Sequence, residues 1–362
     1  MVKKIITLFI TWKIIIFFVA AVSPMAIPTF GNRFPYVEIL KQSKLPYWIW
    51  CFGNFDGVHY LRIASDGYVY QYTQAFFPFF PILIKLVSFM TFGNYLLAGL
   101  LISNISFLFS LIIFYKLIVK IYNPKIALWS VIFLLSFPTS YYFGSVYTEG
   151  LFFLMIITSF YLLEQNKNWQ AAIIGIFASG TRFVGIFLSL FAFSSKKHQF
   201  SFPFLLVPLG LISYMIYLQL KFNNAFYFLA AQTAFGQNRE AAKIIILPQV
   251  LYRWVNQLLT THGLIFANSA FEFSTTIFAI VLLLIGLKTI KKEWIIFSLC
   301  AIITPTLTGS LASMPRYVLV AFPVFVMLAQ IKNDFVKILI ASIFFVCLTV
   351  TTALFTRGYW IA

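Results

Sequence analysis

Apolar runs, several of about twenty residues and so long enough to cross a bilayer core, recur along the whole chain. The clearest are Ile5–Ile27, Tyr95–Val119, Ser201–Leu220, Ser274–Leu287 and Phe335–Phe355. They are continuous rather than alternating, which argues against the short two-residue period of a membrane β-barrel. Inside lipid each backbone group must find its partner within its own segment, so the runs predict helices. Shorter stretches near 126–138 and 148–163 bring the tally to about eleven hydrophobic segments. The expected fold is all-α and polytopic, a single membrane domain over residues 1–362.

The cationic residues between the runs suggest a topology. Lys3 and Lys4 place the start of the chain inside, by the positive-inside rule. Lys116, Lys120 and Lys125 mark one inner loop, and Lys288, Lys291, Lys292, Lys332 and Lys337 mark others. Two long polar outer loops, about 30–75 and 222–269, are expected to carry short helices, and the C-terminus falls outside. The segment Gln170–Phe193 is interrupted by SGTR at Ser179–Arg182. Two half-length helices meeting near the outer face would return Lys196 and Lys197 to the inside. Such a break at membrane depth survives only where it lines a polar cavity. The opening MVKKIITLFITWKIII begins like a signal peptide, but its apolar run is long and carries Lys13. It also has no small-residue cleavage pattern before Pro24, so an uncleaved first span is expected.

Composition agrees: 61% of residues are hydrophobic and 10% charged, where soluble domains have about a quarter charged. A net charge of +17 then reports topology and contact with anionic headgroups. No nucleic-acid module is present, so nucleic acid is not an expected partner. Cys51, Cys300 and Cys347 are scattered and offer neither a disulfide framework nor zinc-ligand spacing. Charge does add one thing to the picture. On this topology the inner loops carry lysine, while all seven arginines (Arg33, Arg62, Arg182, Arg239, Arg253, Arg316 and Arg357) fall outside. The planar guanidinium binds phosphate and carboxylate through two parallel hydrogen bonds, whereas ammonium is a hydrated point charge. An anionic ligand at the outer face would explain the split; for Arg33, Arg239 and Arg357, ordinary headgroup contact explains it equally well.

Four polar clusters interrupt the apolar background, all on the outer side of this topology. The first is FGNFDGVHYLRIASDGY, Phe52–Tyr68. On a short helix Asp56, His59 and Tyr60 would share one face. The second is AFFPFFPILIK, Ala75–Lys85, where Pro78 and Pro81 break the helix and a packing element is expected. The third is FPTSYYFGSVYTEGLFF, Phe137–Phe153, with Tyr147 and Thr148 beside Glu149 at the start of an apolar run. Glu149 fits either a helix N-terminus, where the dipole favours negative charge, or a substrate-facing role. The fourth is divided between SGTRFVG, Ser179–Gly185, and SMPRYVLVAFP, Ser313–Pro323. Arg182 and Arg316 each lie at the edge of an apolar segment, where an ionisable residue is costly and points to function.

The chain has no Gly-rich phosphate loop, no H-E-x-x-H and no G-x-S-x-G, and no soluble domain to hold a nucleotide sugar. Substrates borne by the membrane are expected. The ordered motifs FDGVHYLRIASDGY, FFPFFPILI, FPTSYYFGSVYTEGLFFL, SGTRFVGI and PRYVLVAFPVF resemble the GPI mannosyltransferase II (PIG-V-like) family of integral-membrane GT-C glycosyltransferases, here as a compact, prokaryotic-type homologue. Family members read similarly to W-D-G-x-H-[FY]-L-x-I-A-x-x-G-Y, and this chain has Phe55 where the pattern has Trp.

The resemblance implies a GT-C fold, a polyprenyl- or dolichyl-phosphate mannose donor, a membrane-associated glycan or glycolipid acceptor, and inversion to an α-mannoside. It also implies an active site on the outer or luminal face: of the plasma membrane in a prokaryote, of the endoplasmic reticulum in a eukaryote. By motif match Asp56 is the catalytic acid of the first outer loop. Transfer from a lipid-phosphate sugar needs a base for the acceptor hydroxyl, and the leaving phosphate needs cations rather than the second carboxyl of a glycosidase. Asp56 is therefore expected as base, with His59 beside it. Arg182, Arg316 and Arg62 are expected on the phosphate. Asp66, Glu149, Tyr60, Tyr147 and Tyr317 are candidates for sugar and acceptor. No cofactor is expected, and Asp56 and Asp66 are too far apart for a D-x-D metal motif. The alternative is a lipid-linked saccharide flippase, which would also use arginines but should place its ionisable residues near the midplane of repeated halves.

Overall fold

The structure, a computed structural model, describes residues 2–31, 34–192, 201–236, 239–240 and 243–361. Arg33, Lys196 and Lys197 lie outside the described residues. In chain order the helices are α1 (Val2–Ala26), α2 (Val37–Lys41), α3 (Tyr47–Trp50), α4 (Asp56–Asp66), α5 (Phe79–Ser88), α6 (Tyr95–Ile121), α7 (Pro124–Ser136), α8 (Glu149–Leu163) and α9 (Asn168–Ser179). They continue with α10 (Leu209–Phe222), α11 (Tyr227–Ala230), α12 (Leu247–Thr260), α13 (Gly263–Gly286), α14 (Lys292–Thr306), α15 (Met314–Tyr317), α16 (Pro323–Ala329) and α17 (Asp334–Thr356). Among the described residues there are no strands.

Against the expected tally of about eleven segments, the apolar helices among the described residues number nine, five of full length and four shorter. Five stretches are long and apolar enough to cross a membrane: α1, α6, Phe202–Phe222, α13 and α17. Shorter apolar helices are α5, α7, α8 and the 3-10 helix Phe183–Ala192. The protein is integral to the membrane. Four of the five spans begin within three residues of the apolar runs. The exception is α13, which starts at Gly263 rather than Ser274. Hydropathy ends the span early because Asn268, Ser269 and Glu272 are polar, yet Ser269 and Glu272 are buried inside the protein. The segment expected as the second outer loop, about 222–269, holds α11 and α12, and that expected as the first, about 30–75, holds α2, α3 and α4.

The chain forms two compact units, one of residues 1–67, 78–161 and 328–361, the other mainly of residues 68–77 and 162–327. In the first, α5, α6 and α7 pack in sequence, and α1 packs against α6 and α17. Pro81 lies in the first turn of α5, where its missing N–H would have had no intrahelical partner. Asn94, Asn123 and Asn333 cap α6, α7 and α17 with side-chain acceptors, each satisfying otherwise orphaned N–H groups. On the lysine-rich side Asp334 pairs with Lys125 at 2.7 Å and Lys337 at 2.5 Å.

In the second unit the predicted break is present. Helix α9 ends at Ser179, Gly180 to Arg182 make the turn, and a ten-residue 3-10 helix follows over Phe183–Ala192. The two halves pack together and α9 also packs against α10. These approaches leave no room for side chains: a Cβ on Gly185 would sit 2.5 Å from the Ala178 carbonyl, and one on Gly210 would sit 2.0 Å from the Ile176 oxygen.

Candidate active site

The Asp56 motif is built on an unusual turn. Phe55, at the N-terminal boundary of α4, has φ 58° and ψ −118°, and Gly57 N donates to the Asn54 carbonyl at 3.4 Å. These angles belong to the first central position of a type II′ turn, where glycine is the residue favoured. A bulky residue there is strained, and strain persists only when the surroundings over-determine it. The Phe55 ring is held against Phe34, Trp360 and Phe355, with centroids at 5.1, 5.0 and 5.7 Å. Asn54, fully buried, donates from Nδ2 to the carbonyls of Phe355 and Thr356 at 2.8 and 3.2 Å.

Tyr147 ties this turn to the third cluster. Its hydroxyl donates to the Asn54 carbonyl at 2.9 Å and accepts from Asp56 N at 3.2 Å. Val146 N donates to the Phe52 carbonyl at 2.9 Å. Asp56 is thus the first residue of α4, where the helix dipole favours its charge. Glu149 is likewise the first residue of α8 and is buried. Behind it, Gly150 approaches α6 so closely that a Cβ would lie 2.6 Å from the Ser103 carbonyl oxygen.

Along α4 the other candidates separate. His59 packs edge-on against Tyr36, centroids 5.8 Å apart, and the Arg62 guanidinium lies 5.2 Å from the same ring. Burial pushes His59 below the ordinary imidazole range; nearby Asp56 opposes this and Arg62 adds to it. Burial thus favours the neutral imidazole. Tyr60 is buried with its ring 5.2 Å from Phe80 of α5, so helix packing takes up most of its surface. Asp66 is exposed at the opposite end of α4, roughly 15 Å from Asp56 at 1.5 Å rise per residue. Among the described residues no group of three His, Cys, Asp or Glu side chains could hold a metal.

The divided fourth cluster comes together in the second unit. The guanidinium carbons of Arg182 and Arg316 lie 5.2 and 5.4 Å from the ring of Tyr317. Arg182 follows the helix break and Arg316 is buried in α15. Two guanidinium groups thus lie against one aromatic ring, a cation–π arrangement. The hydroxyl of buried Ser313, at the start of this segment, has no hydrogen-bond partner among the described residues.

The first unit therefore joins the Asp56, Phe80 and Tyr147–Glu149 motifs, and the second joins the two arginine motifs. A profile described as Mannosyltransferase (PIG-V) matches residues 3–205. The chain belongs to this family. The match takes in every motif from Asp56 to Arg182 and ends before Arg316. GPI mannosyltransferase 2 of Cryptococcus neoformans is 29% identical over 193 residues, 48% of this chain and 43% of that protein. Human GPI alpha-1,6-mannosyltransferase 2 is 25% identical over 145 residues, 37% of this chain and 29% of that protein. A Drosophila pseudoobscura GPI mannosyltransferase 2 is 28% identical over 138 residues, 34% and 29% of the two chains. The chain thus spans less than half the length of these PIG-V relatives.

Some residues important to the PIG-V motif carry no sequence signal of their own. Asn54, Phe355 and Trp360 meet around Phe55 from positions about 300 residues apart. Arg357, for which the sequence left headgroup contact and an anionic ligand equally open, is buried and donates to the carbonyls of Ile27 and Pro28 at 2.7 and 2.6 Å. Glu272, the one acid of α13 and buried, carried no signal because it falls between the expected loop 222–269 and the apolar run that begins at Ser274.

Proposed function

We propose that this protein is a membrane mannosyltransferase that uses a polyprenyl- or dolichyl-phosphate mannose donor and a glycan or glycolipid acceptor, with its active site on the outer or luminal face. Asp56 takes the proton of the acceptor hydroxyl. The acceptor oxygen bonds to the anomeric carbon as the bond from that carbon to the phosphate oxygen breaks, inverting to an α-mannoside. The lipid phosphate leaves as an anion, so no acid is required on that side. Arg182 and Arg316 hold this phosphate, with Arg62 as a further cation, preorganised for the charge that develops. His59 orients the acceptor near Asp56, while Asp66, Glu149, Tyr147 and Tyr317 serve the sugar and acceptor, with Tyr60 acting through its packing behind them.

The observation that carries this reading is the strained Asn54–Gly57 turn, which Tyr147 and Asn54 hold with Asp56 at the head of α4, inside the region matched to the family. Strain of this kind concentrates at functional sites. A lipid-linked saccharide flippase lacks support from the family. The deciding measurement is mannose transfer from polyprenyl-phosphate mannose by purified Asp56→Asn. Turnover is expected to fall at least about a hundredfold, the usual contribution of a general base, with donor binding kept. Near-normal turnover would remove Asp56 from the base role.

A further inference from the structure

Glu272 carries a carboxyl group inside a membrane-spanning helix and is only 2% exposed. Burying an ionisable group at such a place is expensive unless its oxygens are satisfied. Here they are. Oε2 accepts from Trp254 Nε1 at 3.2 Å, and Oε1 accepts from Asn268 Nδ2 at 3.1 Å and from the backbone N of Ser313 at 3.3 Å. The carboxyl group therefore joins three elements of the second unit: α12 through Trp254, α13 itself, and the start of the segment bearing Arg316.

Ser313 is the residue that needs holding. Its φ is +70°, a left-handed conformation that costs a non-glycine residue about 1–2 kcal/mol, and it directly precedes α15. An acceptor on its N–H, itself held by Trp254 and Asn268, opposes that cost by keeping the buried donor satisfied. The neighbouring strands of chain are knit in the same sense. Glu240 N donates to the Thr308 carbonyl at 2.8 Å and Ile245 N to the Leu307 carbonyl at 3.0 Å, while Arg253 pairs with Glu240 at 3.0 Å.

We propose that Glu272 is a positioning residue for donor-phosphate binding: it fixes Ser313, and through it the placement of Arg316, and links that placement to helix α12. This rests on the reading of Arg316 as a phosphate ligand.

The test uses the full-length protein in lipid nanodiscs and two readouts. Hydrogen exchange of the peptide 310–317 reports the tether directly; the KM for polyprenyl-phosphate mannose reports its consequence. Glu272→Ala should speed exchange and raise the donor KM about tenfold, the loss of roughly one buried hydrogen bond, with kcat within about twofold. Glu272→Gln keeps one acceptor oxygen and should fall between, and it serves if the alanine variant does not fold. Added to Arg316→Ala, neither substitution should raise KM further, because the two act through one interaction. Unchanged exchange in both variants overturns the tether whatever the donor does. Faster exchange with wild-type KM, where Arg316→Ala itself raises KM, overturns the positioning role. If Arg316→Ala alone leaves KM unchanged, it is the phosphate reading that has failed, and exchange by itself then decides for or against the tether.

Discussion

Phe55 is where local preference and tertiary context conflict most openly. Its backbone asks for glycine, while its ring fills a gap between Phe34, Trp360 and Phe355. Phe55→Ala removes the ring and keeps the strain, so it should destabilise by at least about 2 kcal/mol, within the range of large-to-small substitutions. Phe55→Gly removes both. In most of a protein glycine is worse than alanine by about 0.5–1 kcal/mol; at this position the order should reverse, which thermal unfolding of the two variants in detergent would show. His59 makes a second prediction at this scale. Its folded pKa lies below the ordinary value because of burial, so the unfolded chain binds the proton more readily. Stability should be full above about pH 6.5 and fall as pH drops through the folded value. His59→Gln should flatten that part of the pH profile of the melting temperature; an unchanged slope would show that other groups set it.

Among the elements, the broken segment of residues 168–192 depends on Gly210 of the neighbouring α10 but not on its own Gly180. Gly180 has ordinary contact distances, with its nearest neighbours 3.6 Å from a built Cβ, and a right-handed backbone. Gly210 allows α10 to touch the end of α9, where Ser179 Oγ also donates to the Val207 carbonyl at 2.6 Å. Gly180→Ala should therefore be tolerated, whereas Gly210→Ala forces the two helices apart and should cost several kcal/mol, as overpacking at backbone contacts does. Monodispersity on size-exclusion chromatography and melting temperature would separate the two. Equal behaviour would mean that α9 and α10 can shift without loss. Asn94, Asn123 and Asn333 each sit just before a helix and cap it, which the sequence analysis did not single out. The start of α13 was not legible either, because its polar residues Ser269 and Glu272 are buried rather than exposed.

For the molecule as a whole, the first unit is assembled from both ends of the chain. Its C-terminal residues hold the Asp56 turn through Asn54 and close the exit of α1 through Arg357. Arg357→Ala leaves two carbonyls without their donor and should cost about 1–3 kcal/mol, and more than Arg357→Lys, which keeps one of the two contacts. Because the same residues brace the turn, mannose transfer should fall along with stability; a fully stable, fully active Arg357→Ala would show that the C-terminus is dispensable to the site.

Hydropathy and charge alone determined that the chain is helical and membrane-embedded, and roughly where its spans lie, because lipid allows little else to a continuous apolar run. The break at Ser179–Arg182 and the motif residues Asp56, Glu149, Arg182 and Arg316 were legible for the same reason, as polar residues that an apolar environment penalises. What only the tertiary structure decided is which of them meet. Tyr147 joins the Asp56 and Glu149 motifs, Tyr317 gathers two arginines more than a hundred residues apart, and Asn54 finds its acceptors at Phe355 and Thr356. Those pairings depend on how helices pack, and packing is set by the shapes of side chains distant in sequence, which no local pattern records.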